Sequence, residues 1–76
     1  MSETVTGYID HVIFRNEDNG YTVMVLKGTK KEEELTCVGS FPAITQGASI
    51  EATGVYIHHP VYGKQFQIFY LTAENS

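Results

Sequence analysis

Cysteine is almost missing from this chain: Cys37 is the only thiol in 76 residues. An internal disulfide is therefore impossible, which excludes the stapled mini-proteins of the secretory route and makes a cytoplasmic setting the expectation. Positive charge is also scarce. Five Lys and Arg stand against nine Asp and Glu, for a net charge of −4, so the chain lacks the strong basic footprint of an autonomous nucleic-acid binder. The longest apolar runs, Val23–Leu26 and Ile68–Leu71, reach four residues, far short of the roughly 20 that span a bilayer, and no membrane partner is expected. The opening Met1-Ser2-Glu3-Thr4 is acidic and polar, the reverse of a signal peptide.

Catalytic motifs are missing too. Gly63-Lys64 is followed by Gln65, and five residues before Gly63 stands His58, so the phosphate-cradling G-x-x-x-x-G-K-[ST] loop does not form. Neither G-x-S-x-G nor G-x-G-x-x-G occurs. Metal ligands are poorly spaced: among His11, His58, His59 and Cys37 there is no C-x-x-C or H-x-x-x-H. His58 and His59 are adjacent, and in a strand they point to opposite faces. Asp10-His11 reads as two solvated strand residues, and Cys37, between Thr36 and Val38, as a small buried hydrophobe. A chain this short buries only about 60–65% of its unfolded surface, which leaves little from which to build a deep catalytic cleft. No catalytic residue, cofactor or metal is assigned, and the chain is not read as an enzyme.

What is present is strand chemistry. Glycines at 7, 20, 28, 39, 47, 54 and 63 punctuate five β-branched and aromatic runs: Val5–Arg15, Tyr21–Lys27, Leu35–Ser40, Ile50–His58 and Gln65–Thr72. In the first, Val12-Ile13-Phe14 breaks strict alternation, which predicts a bulge near Asp10-His11. In the second, Tyr21, Val23 and Val25 share one face and Thr22, Met24 and Leu26 the other. Asn16–Gly20 is turn chemistry throughout and reads as a hairpin loop. The polar stretch Gly28–Glu34 closes a second hairpin, as a solvated loop rather than a helix pinned by Lys30 and Glu34, because no apolar stripe would dock that helix. Residues 41–46 leave room for barely one helical turn, and residues 58–64 join the last two strands.

Short strands at this spacing, a helix-sized link after the third, and glycines inside the first and fourth predict an all-β, five-stranded OB-like Greek-key barrel, with a vestigial helix or turn between strands 3 and 4. Gly7 and Gly54 would permit bends or close backbone approach. A Src-homology-like barrel or an open meander shares the same strand count. Nine aromatics exceed what a small core needs, and aromatic stacking holds unpaired bases. OB barrels take single strands across strands 2 and 3, flanked by the first hairpin loop and the loop between strands 4 and 5. The residues able to reach that region are Arg15, Lys27, Tyr62 and Lys64. Tyr21, Phe41, Tyr56 and Phe66 read as core or core-rim side chains. A phosphate contact would weaken steeply with salt, and the carboxylates of Glu17, Asp18 and residues 32–34 oppose it.

The run Gly7-Tyr8-Ile9-Asp10-His11-Val12-Ile13-Phe14-Arg15-Asn16-Glu17-Asp18-Asn19-Gly20-Tyr21-Thr22-Val23 resembles the opening of RecD-like (RecD/TraA-type) superfamily 1 DNA helicases. So do Cys37-Val38-Gly39-Ser40-Phe41-Pro42, Gly47, Gly54, and the segment from His58 through Tyr62-Gly63 to Gln65-Phe66. The resemblance covers residues 5–72. It implies one N-terminal OB-like domain, residues 1–76, cut from a longer helicase or exodeoxyribonuclease V alpha-type subunit whose motor binds ATP and magnesium. The motor's nucleotide loop is not in this chain, so its activity transfers to no residue here. The partner implied is single-stranded DNA, held weakly with the help of tethering, or else the other domains of the parent or a replication or repair protein. The N-terminal OB domain of the exodeoxyribonuclease VII large subunit fits the Asn16–Val23 run less well.

Overall fold

The computed structural model describes residues 1–28 and 33–74; the choice between loop and helix around Lys30 falls outside the described residues. The chain forms five strands, β1 (Glu3–Arg15), β2 (Tyr21–Lys27), β3 (Glu34–Ser40), β4 (Ser49–His59) and β5 (Gly63–Ala73). They close into a barrel in the order β1-β2-β3-β5-β4. Every pairing is antiparallel except the closing one, where Cys37 and Val38 of β3 run parallel to Phe66 and Gln67 of β5. This is the OB arrangement. Each expected strand is there, and β4 and β5 extend further toward each other than their apolar runs suggested, since His58 pairs with Lys64 and His59 with Gly63.

β1 serves both halves of the barrel. Residues 3–8 pair with β4 and residues 8–15 with β2, so the strand changes partners at Tyr8, immediately after Gly7. The expected bulge lies at Asp10, which is skipped between Ile9↔Leu26 and His11↔Val25. A second bulge leaves Ile13 without a partner between Val12↔Met24 and Phe14↔Val23. Each added residue bends the strand and re-aims its neighbours. β5 has a matching irregularity: Phe69 is skipped between Tyr70↔Thr53 and Ile68↔Gly54.

Inside the barrel, Val5, Ile9, Met24, Leu26, Leu35, Cys37, Ile50, Ala52, Phe66 and Ile68 form one core. The inward face of β2 is Thr22, Met24 and Leu26, all fully buried. Between β3 and β4 there is a turn at Gln46-Gly47 and no helix. Phe41 enters the core from this link, and Ile44 and Ala48 pack against it, so three side chains close the barrel where a helix was an alternative. The link is tied to β1 by Gly47 N–H to Ile9 O at 2.7 Å and by Ile9 N–H to Ala48 O at 3.0 Å.

The first hairpin loop is held by its own side chains. Asn16 Oδ1 accepts the Asp18 amide at 2.8 Å and Asn19 Oδ1 accepts the Tyr21 amide at 2.9 Å, the short-range bonding that makes Asn a turn residue. Gly20 takes the positive φ of 77°, and its carbonyl accepts the Phe41 amide at 3.0 Å. The loop and the β3–β4 link are thereby joined.

Candidate functional site

The outward face of β2 and β3, where a single strand was expected to lie, is closed in its middle. Val25 and Val38 are only 5% and 6% exposed, yet neither belongs to the interior core. The open apolar surface lies to one side of them. Ile13, Phe14, Tyr21, Val23, His59 and Tyr62 line a groove of about 310 Å³. The Ile13 bulge accounts for one wall: with one residue added, Ile13 and Phe14 both face outward, at 58% and 52% exposure, although they are consecutive. Phe14 then meets Tyr21 across the β1–β2 ladder, with ring centroids 6.4 Å apart.

The rest of the aromatic lining comes from the end of β4 and the β4–β5 loop. His59 and Tyr62 rings lie 4.8 Å apart, tilted by 34°. His59 Nδ1 accepts both the Val61 amide at 3.0 Å and the Tyr62 amide at 3.1 Å. A nitrogen that accepts carries no proton, so the neutral ring's proton is on Nε2.

The electrostatics single out this groove. No Asp or Glu lines it, and none occurs between Glu51 and Glu74, so β4 beyond Glu51, the β4–β5 loop and β5 carry Lys64 and no carboxylate. Two larger cavities differ in this respect. One, of about 470 Å³, is lined by Glu33 and Glu34 beside Tyr8, Lys27 and Gly28. The other, of about 370 Å³, is lined by Glu17 and Asp18 with residues of the β3–β4 link. Both would repel a phosphate. A second exposed aromatic pair, Phe69 and Tyr70, follows from the β5 bulge. Tyr70 stands in a row with Thr53 and Thr4, and Glu51 is in the adjoining row with Thr72 and Thr6.

The four residues anticipated for nucleic-acid contact do not converge. Arg15 and Lys27 sit at opposite ends of the β1–β2 ladder. The Arg15 guanidinium donates to Gly20 O at 3.2 Å, Thr22 Oγ1 at 2.7 Å and Pro42 O at 3.1 Å, and to Glu17 Oε2 at 3.2 Å. Lys27 Nζ is 3.8 Å from both Asp10 and Glu34 carboxylates. Lys64 Nζ lies 4.4 Å over the Tyr56 ring. Only Tyr62 lines the groove. Ile13, Phe14, Tyr21, Val23 and His59 were not anticipated as site residues. The broken alternation at 12–14 was the available signal for the first two. His59 was weighed only as a metal ligand, and among the described residues no three His, Cys, Asp or Glu side chains gather to hold one.

At the Lys27 end, the His11 hydrogen bond to Asp10, 2.7 Å long, holds the Asp10 carboxyl below its usual range; desolvation opposes this, and Lys27 adds to the lowering. A depressed carboxyl stabilises the fold above its unfolded pKa and loses that contribution as pH falls through the folded pKa. His11→Ala should therefore move the Asp10 carboxyl titration, followed by carbon NMR, toward higher pH; an unmoved midpoint would remove His11 as its main cause.

A family model described as the OB-fold domain of the ATP-dependent DNA helicase YrrC matches residues 2–75. No solved structure matches the chain significantly.

Proposed function

Because the chain belongs to the family of OB-fold domains of the ATP-dependent DNA helicase YrrC, we propose that it serves a RecD-like helicase as a non-catalytic auxiliary domain that contacts single-stranded DNA weakly during unwinding or repair. In this reading the rest of the polypeptide, of the exodeoxyribonuclease V alpha type, holds the motor with its ATP and magnesium and works in the cytoplasm. The observation that carries it is the aromatic groove of Phe14, Tyr21, His59 and Tyr62, whose lining holds no carboxylate. Aromatic faces hold unpaired bases whatever their sequence. A duplex, whose base faces are stacked away, has nothing to offer them.

Weak affinity is in keeping with the net charge of −4 and is sufficient for the task. A tethered module meets its strand at an effective concentration of about millimolar. The groove lining has no Lys or Arg, so few counterions are released on binding. The salt dependence should then be shallow, with a log–log slope of about −1 or less in magnitude, since each phosphate neutralised contributes about −0.7. That replaces the steep dependence the sequence suggested. Fluorescence anisotropy of labelled oligo-dT should show this slope, and Tyr62→Ala should weaken binding about tenfold. Unchanged affinity in Tyr62→Ala, or no binding at millimolar protein, would contradict the proposal.

A second reading, docking on other domains of the helicase or on a replication or repair partner, is favoured by a separate feature. Phe69 and Tyr70 are 59% and 62% exposed and have Glu51 in the adjoining row, which suits a protein surface better than a phosphate backbone.

A further inference from the structure

We infer that the groove is a clamp for one unpaired base, with the Phe14–Tyr21 and His59–Tyr62 ring pairs as its two walls, and that His59 is the residue that positions the second wall. This rests on the single-strand reading above and makes it specific. Its volume of about 310 Å³ lies at the lower end of ligand pockets, which span about 300–1,000 Å³. That suits one base rather than a length of strand. The open platform on β2 and β3 that would track several nucleotides is closed at Val25 and Val38.

The two walls differ in how they are held. Phe14 and Tyr21 stand on paired strands. Tyr62 stands on a three-residue loop between His59 and Gly63 and would move freely without a tie. His59 supplies that tie. Its Nδ1 holds the amides of Val61 and Tyr62, so turning the ring would break both bonds, and the Tyr62 ring packs against it. The wall is thus organised before a ligand arrives, which lowers the ordering cost of binding. The hydroxyls of Tyr21 and Tyr62 and the Nε2–H of His59 are the donors that this set of residues brings to the acceptor edges of a base.

The test uses the chain with unlabelled dT3, dT6 and dT12, read by amide chemical shifts. A one-base clamp gains only from the number of bases offered, about fourfold in apparent association from dT3 to dT12; an extended track gains far more as successive stacking contacts add. Phe14→Ala and Tyr62→Ala should each cost about tenfold, and the double variant well under a hundredfold, because the two plates act on the same base. A steep rise with length, or full additivity, overturns the clamp while leaving a strand contact in place. Absence of dT3 shifts anywhere in the groove removes the strand contact itself.

His59→Asn, whose Oδ1 can accept the same two amides, should keep the Val61 and Tyr62 amide resonances near their original positions. It should bind dT3 several-fold better than His59→Leu, which holds neither amide, with both variants melting at the same temperature. Equal affinity in the two variants overturns the positioning role.

Discussion

Gly54→Ala is expected to lower stability by about 3 kcal/mol or more, enough to leave much of a chain this small unfolded. Gly54 sits where β4 passes β5 beside the Phe69 bulge. A Cβ built there falls on the Gln67 carbonyl oxygen, 2.8 Å from the Gln67 carbonyl carbon and 2.9 Å from the Ile68 Cα. All three are backbone atoms, so no side chain can swing aside to make room. The neighbouring residues are also the ones that close the barrel, since Gln67 pairs with Val38 on its other side. Pushing β5 away from Gly54 therefore strains the parallel β3–β5 contact, which has only two registered pairs. Urea denaturation followed by circular dichroism measures the loss. A change below about 1 kcal/mol, the size of an ordinary surface substitution, would contradict so close an approach of the two strands.

Arg15→Met is expected to cost about 2–3 kcal/mol, because it removes charge-assisted bonds to two part-buried acceptors and a third at the surface. The Arg15 side chain is 15% exposed, and three of its bonds reach Gly20 O, the fully buried Thr22 Oγ1 and Pro42 O. These acceptors belong to the first hairpin loop, β2 and the β3–β4 link, so one guanidinium joins three segments. Its ion pair with Glu17, whose side chain is 80% exposed, adds little. Arg15→Lys should recover only a small part, since a point ammonium cannot reproduce the planar fork. The affinity of folded protein for oligo-dT should be unchanged in Arg15→Met. Undiminished stability with weakened oligonucleotide binding would instead make Arg15 a phosphate ligand.

Much of the barrel was legible because its strands obey simple rules. β2 alternates cleanly, with Thr22, Met24 and Leu26 inward, and its limits agree with the apolar run. Asn16–Gly20 carries its turn in its own side chains. The Asp10 bulge was foreseen from the irregular pattern of β1, whereas the one at Ile13 was not, although it does more to create the site. A bulge inverts the facing of every later residue, and composition does not say where the added residue falls. The same limit applies at Phe69, where one skipped residue leaves two consecutive aromatics exposed.

The site was less legible than the fold for a different reason. Charge was used to find it, and Arg15, Lys27 and Lys64 were the cations within reach. In the folded chain Arg15 turns to backbone carbonyls, Lys27 to Asp10 and Glu34, and Lys64 to the Tyr56 ring. Pairing of this kind depends on which strands become neighbours. His59 was hidden by its ordinary sequence setting, and its importance comes from two loop amides that only the closed hairpin aims at Nδ1.

Contacts between thymine protons and the groove rings test the central claim most directly. With dT3 added to millimolar concentration, intermolecular nuclear Overhauser effects should link the thymine methyl and H6 protons to Phe14, Tyr21 and Tyr62, with the Thr4–Thr53–Tyr70 face undisturbed. Effects confined to that other face, or a spectrum that dT3 leaves unchanged, would contradict the account.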